Sequence, residues 1–176
     1  MTPGLRGGRL LVATPSLVDP NFAHTVILLL EHGDEGAVGL VVNRPSEVAL
    51  STALPQWRGT AVHPPVVFLG GPVQRDAVIA LGRVDGPVAG AQPILAGVAV
   101  VDLSEFAAGE ADVRVFAGYA GWGAGQLEDE VASGGWFVVD ARPPDPFSAQ
   151  PEGLWAGVLQ RQGGLFATVS PDPTMN

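Results

Sequence analysis

The chain has no cysteine and no lysine. Without a thiol there is no disulfide, no thiolate nucleophile, no iron–sulfur cluster and no cysteine-bound zinc. Without a lysine amine there is neither a Walker phosphate loop nor a pyridoxal Schiff base. Sulfur redox chemistry is left to two methionines. Basic charge is scarce: nine arginines face eighteen Asp and Glu, a formal charge of −9. The arginines are scattered from Arg6 to Arg161 rather than gathered on one helix, so a nucleic-acid backbone would be repelled and direct nucleic-acid binding is not expected. Histidines number three. His24 and His32 sit at opposite ends of one predicted strand, roughly 25 Å apart at about 3.3 Å per residue, so they cannot share a metal. No cofactor and no metal are expected. Long apolar runs are also missing, and the N-terminal stretch is too short for a secretory signal. A cytoplasmic protein that does not enter a membrane is the expectation.

What is present is apolar. Of 176 residues 47% are hydrophobic, enough for one sizeable core. The reading is a single domain over residues 1–176, with a frayed tail at about 171–176. Val26–Glu31 and Ala37–Asn43 are strand-length runs joined by His-Gly-Asp-Glu-Gly, the mark of a β-hairpin. Both are nearly continuous rather than alternating, which predicts strands covered on both faces. Further strands are predicted at Leu10–Ala13, Val66–Leu69, Val78–Val84, Leu95–Val101 and Trp136–Asp140. Helices are predicted over Ser46–Trp57, with Ser46 as N-cap, over Gln126–Ala132, and near Pro151–Gln162, with a helical turn at Leu103–Ala108. Between Val113 and Glu130 an apolar strand runs into a glycine-dense segment, read as a turn, and then an acidic helix start. Gly118, Gly121, Gly123 and Gly125 surround Tyr119 and Trp122, as glycine does where backbone must pass close by.

Three segments, GRLLVATPSLVDPNFAHTVILLLEHGDEGAVGLVVNRP at Gly8–Pro45, FLGGPV at Phe68–Val73 and GYAGWGAGQLEDE at Gly118–Glu130, resemble the bacterial YqgE/AlgH family. The resemblance extends over nearly the whole chain. It implies an α+β fold, with a bifurcated, mostly antiparallel sheet that includes a small closed barrel surrounded by helices. It supplies no established activity. Some members carry a transcriptional-regulator label, which for so acidic a chain points to action through a protein or small ligand.

Pairing across the hairpin places Thr25 opposite Asn43 or Arg44. Its open end then gathers Asp19, Asn21, His24, Thr25, Asn43 and Arg44. Arg44 offers a planar donor fork for an anion, and His24 could exchange a proton near neutral pH. The structural alternative is that these groups serve the backbone: Asp19 and Asn21 cap a turn, Arg44 pairs with Asp19, and His24 meets a carbonyl. A second candidate cluster is Tyr119, Trp122, Gln126, Glu128 and Glu130. There the glycines look less like a phosphate cradle than like packing devices, because Glu128, Asp129 and Glu130 already occupy the positive end of the helix. Glu128 and Glu130, two apart on a helix, point in different directions and do not form a dyad. FLGGPV reads as a strand ending in a tight turn. The preferred function is a non-enzymatic binding or regulatory module for a small anionic ligand or a protein partner. The rival is a hydrolase or transferase with His24 or Glu128 as base and Arg44 as anion stabiliser; a direct DNA-binding regulator comes third.

Overall fold

The continuous apolar runs form strands whose alternate residues enter two different cores. In the computed structural model, which describes residues 4–57, 61–86, 89–105 and 112–164, β1 (Arg9–Ala13) sends Leu10 and Val12 to one face and Leu11 and Ala13 to the other. Strand β2 (Val26–Gly33) does the same with Val26 and Leu28 against Ile27 and Leu29. No polar side is needed because helices lie over both faces, as the sequence pattern predicts.

β2 and β3 (Gly36–Val41) make the predicted hairpin. The order continues with β4 (Pro45–Ala49), α1 (Leu50–Ala53), β5 (Val66–Leu69), β6 (Val73–Arg83), β7 (Ala91–Leu95) and β8 (Val98–Val101). It closes with β9 (Val113–Gly123), α2 (Gln126–Ala132), β10 (Trp136–Asp140), two 3₁₀ turns at Asp145–Phe147 and Pro151–Gly153, and α3 (Leu154–Gln162). The sheet runs β10-β1-β2-β3-β9-β6-β8-β7, and β4 and β5 branch from it. All ladders are antiparallel except β5 with β9. The α+β expectation therefore holds, as a curled, mostly antiparallel sheet with helices.

The closed barrel does not. End strands β10 and β7 share no ladder among the described residues, so the sheet is an open half-barrel. Edge strand β7 carries Pro93, which has no N–H to donate to a further strand. Three element predictions also need correcting. Ser46 caps no helix: residues 45–49 pair with β5, and only Leu50–Ala53 is helical, because a neighbouring strand edge outweighs weak local helix propensity. The run Leu95–Val101 is the end of one strand and the whole of the next, folded at Ala96 and Gly97. The glycine-dense "turn" is the second half of β9. Within it a methyl on Gly118 would strike the Gly71 carbonyl, and across the ladder a methyl on Gly36 of β3 would strike the Trp122 carbonyl. The frayed-tail expectation, and residues 106–108 of the expected helical turn, lie outside the described residues.

β9 is the spine. Its C-terminal half pairs with β3 (Gly36↔Gly123 to Gly39↔Ala120). Its N-terminal half pairs with β5 on that side (Phe68↔Phe116, Leu69↔Ala117) and with β6 on the other. The sheet thus forks at residues 117–120. Gly118, at φ +75°, changes the side-chain alternation there: Val113, Val115 and Ala117 face one core, and Ala120 and Trp122 face another. α1 closes the first through Leu50, and α2 closes the second through Leu127. On the opposite face Phe68 and Phe116 pack edge to face at 5.8 Å, in the core sealed by Leu154, Trp155, Val158 and Leu159 of α3.

Candidate functional site

The hairpin register places the predicted polar end where the sequence puts it. Ile27↔Val41 and Leu28↔Leu40 extrapolate to Thr25 opposite Asn43, and a bulge between Leu29 and Glu31 absorbs one residue nearer the turn. Most of the gathered groups then bond backbone. Asn43 accepts from the Val26 N–H at 3.0 Å and donates to the His24 carbonyl at 3.0 Å. Thr25, fully buried, donates to the Phe22 carbonyl at 2.7 Å. Asp19 accepts from the Asn21 N–H at 2.8 Å. His24, at φ +58°, sets its ring edge-on to Trp155, with centroids 5.1 Å apart.

Arg44 is different. It donates through Nη1 to the Asn21 carbonyl at 2.7 Å and through Nη2 to the Ala23 carbonyl at 2.9 Å, which leaves part of its five-donor fork unengaged. Burial pulls its pKa down from the usual arginine range, and the nearby Asp19 charge opposes that shift. Arg44 forms one wall of a cleft of about 170 Å³ lined also by Asn21, Val41, Leu69, Gly71, Pro72, Arg75 and Ala117. That lining carries two guanidinium groups and no carboxylate. Of the sequence-predicted residues, Arg44 and Asn21 line the cleft; Asp19, His24, Thr25 and Asn43 do not.

The fork of the sheet makes this cleft. Segment 69–71 threads between β3 and β9: Gly70 N–H donates to the Ala117 carbonyl at 2.8 Å, and the Val41 N–H donates to Gly70 at 2.9 Å. Gly71, at φ +152°, lies so close to β9 that a methyl would strike the Tyr119 carbonyl group. Four residues, 74–77, then stand opposite the single Gly118, because Val73 pairs with Tyr119 and Val78 with Ala117. This bulge in β6 contains Gln74 at φ +46° and raises exposed Arg75 over the cleft. FLGGPV is therefore more than a tight turn. Sequence reasoning missed Gly71, Pro72 and Arg75, although the polar Gln74-Arg75-Asp76 interruption of an otherwise apolar strand was a usable signal.

The second cluster is structural in its contacts. The Glu130 carboxylate accepts from Trp122 Nε1 at 3.1 Å, Trp136 Nε1 at 3.0 Å and Gln126 Nε2 at 3.0 Å. Gln126 in turn accepts from the Gly123 N–H at 3.0 Å. Glu128 points elsewhere, to His32 Nε2 at 3.1 Å, and that hydrogen bond holds its carboxyl below the ordinary range. Phe22 stacks on Trp122 at 6.4 Å, so the two clusters adjoin. None of Tyr119, Trp122, Gln126, Glu128 and Glu130 lines the Arg44 cleft. Among the described residues no three His, Asp or Glu could hold a metal ion, and no helix is long and apolar enough to cross a membrane.

Two solved structures share this fold. The crystal structure of protein DIP2367 from Corynebacterium diphtheriae matches with a TM-score of 0.86 at 28% identity, covering 97% of this chain and 94% of that one. The solution structure of the AlgH protein from Pseudomonas aeruginosa matches at 0.72 and 32% identity, covering 93% and 92%. In sequence, the chain is 45% identical to a UPF0301 protein of Streptomyces avermitilis over 96% of its own length and 94% of the relative's. A UPF0301 protein of Thermobifida fusca is 43% identical over 96% and 94%. The AlgH-like family model matches residues 10–167. The chain belongs to the AlgH-like family.

Proposed function

We propose that this protein is a binding module for a small anion, held between Arg44 and Arg75 in the cleft at the fork of the sheet. The observation behind this reading is the lining: two guanidinium groups without a carboxylate, in a chain whose formal charge is −9. Cations isolated in an acidic protein concentrate anions locally. The cleft is prebuilt, because the carbonyls of Asn21 and Ala23 orient Arg44 before any ligand arrives, and that lowers the ordering cost of binding. The enzyme reading is less well supported, since its proposed bases lie elsewhere: the His24 ring is against Trp155 and Glu128 is bonded to His32.

The clean variant is Arg75→Gln, because Arg44 also pins the Asn21–Ala23 backbone and its removal would disturb the loop. In a ¹⁵N–¹H titration with acetate and with inorganic phosphate at constant ionic strength, saturating shifts are expected at Gly70, Gly71, Arg75 and Ala117. Arg75→Gln should weaken binding about tenfold, the size of one charge-assisted hydrogen bond, at unchanged thermal stability. Shifts linear in concentration and indifferent to Arg75 would refute the site.

A further inference from the structure

The face of the sheet beneath the two arginines is apolar and uncovered. Leu69 pairs with Ala117, and Ala117 with Val78; directly paired residues point to the same side. The Leu69 N–H bonds the Arg44 carbonyl, so β4's approach brings Arg44 to the end of this row. The preceding row, Val67, Val115 and Ala80, is buried in the core beneath Leu50 of α1. The alternate row on the other face, Phe68, Phe116 and Ile79, packs in the α3 core. Leu69 and Val78 remain 49% and 52% exposed, past the end of α1's cover and outside the core that α2 seals.

Size and donor chemistry narrow what fits. The volume of about 170 Å³ is close to the roughly 150 Å³ of a cavity that holds benzene and below the roughly 300 Å³ at which drug-sized sites begin. A backbone nest for an anion is not on offer, because the N–H groups of Val41, Leu69 and Gly70 already serve the Gly70, Arg44 and Ala117 carbonyls. The donors on offer are guanidinium forks, which match a carboxylate or a phosphate, and the exposed hydrocarbon of Leu69 and Val78 next to them favours an anion that carries an apolar body, as a small carboxylic acid does.

We propose that the cleft takes a small monocarboxylate with an apolar body of about benzene's size: the carboxylate lies between Arg44 and Arg75, and the body lies on Leu69 toward Ala117. This rests on the anion reading above and specifies its ligand class. An elongated ligand would cross the row at about 4.8 Å per strand, so a six-carbon chain, roughly 6 Å long, starting at Arg44 passes Leu69 and ends short of Ala117. No bond is made or broken; the protein binds the acid as its anion.

The test is a chain-length series on the intact protein: acetate, butyrate, hexanoate and decanoate, with inorganic phosphate and an acetylated leucine-terminated peptide as further arms, followed by calorimetry or amide shifts. Affinity should rise about fourfold per methylene, the equivalent of about 0.8 kcal/mol, up to hexanoate and then level off. Leu69→Thr should flatten the series while leaving acetate unchanged, and Arg75→Gln should weaken every member alike. If acetate and phosphate bind through Arg75 with no gain from longer chains, the apolar body is wrong and the anion reading survives. If no member binds, both fall. If the peptide's free C-terminus binds and hexanoate does not, the occupant is a protein end and the small-acid proposal is overturned.

Discussion

Replacing Arg114 with methionine sets two opposing physical effects against each other. Arg114, on the spine strand, is 2% exposed. Its Nη1 donates to the carbonyls of Pro146 at 3.2 Å and Ser148 at 2.8 Å, and its Nη2 donates to His63 at 2.8 Å. The guanidinium carbon sits 4.2 Å from the centroid of Phe68. No carboxylate faces it among the described ion pairs, its Nε has no partner, and burial pushes its pKa down to about 10. The charge is therefore costly to keep, and substituting an apolar residue for a buried ion is sometimes stabilising. Against that, methionine orphans three carbonyl oxygens at about 1–3 kcal/mol each and forfeits a cation–π contact worth about 1 kcal/mol. It also unties the segments at His63 and at 146–148 from the spine. The orphaned acceptors outweigh the relieved charge, because carbonyls fixed in two separate segments cannot all turn to water. We expect a net loss of about 3 kcal/mol, or a Tm lower by roughly 6–12 °C for a chain of this size, measured by calorimetry and by the urea midpoint. Arg114→Lys should recover less than half, since one ammonium cannot fork to both segments. A Tm for the methionine variant equal to or above the parent's would refute the reasoning and show that the burial cost dominates.

Two further predictions concern the fork and helix α2. Gly71→Ala should lower stability by about 3 kcal/mol, the top of the usual range for an overpacked site, because the new methyl strikes backbone at a φ that side chains avoid; Gly33→Ala, which meets nothing within 4 Å, is the control for urea titration. Glu128 has a depressed pKa in the folded chain, so its contribution is present above its ordinary value of 4.5 and is lost as pH falls through the depressed one. The difference in urea midpoint between parent and Glu128→Gln should accordingly shrink below that range, and a difference that widens in acid would contradict the assignment.

Local signals located the hairpin, α2 and β10. In each, an apolar period of strand or helix length ends at residues whose backbone preferences stop it, such as Gly33 to Gly36 or Ser133 and Gly134. The polar end of the hairpin was legible for the same reason: pairing numbers in a hairpin sum to a constant, which puts Thr25 opposite Asn43 or Arg44, and the bulge between Leu29 and Glu31 decides for Asn43. The helix expected from Ser46 failed because its alternative, a ladder with β5, involves residues some twenty positions away. The glycines after Gly118 misled because local preference reads them as turn formers, whereas Gly121 and Gly123 lie inside the β9 ladder with β3, and the close backbone approaches are at Gly118, Gly36 and Gly71.

From the linear order of residues alone came the composition limits, the family, the two-faced burial of the central strands and the approach of Arg44 to Asn21. Those follow from chemistry within one residue or across one short turn. Tertiary structure decided that β9 carries two different neighbours along one edge, that the alternation changes at Gly118, and that Arg75 is raised beside Arg44 over an uncovered apolar row. Those depend on which distant strand takes each free edge, a competition settled by packing among segments far apart in the chain.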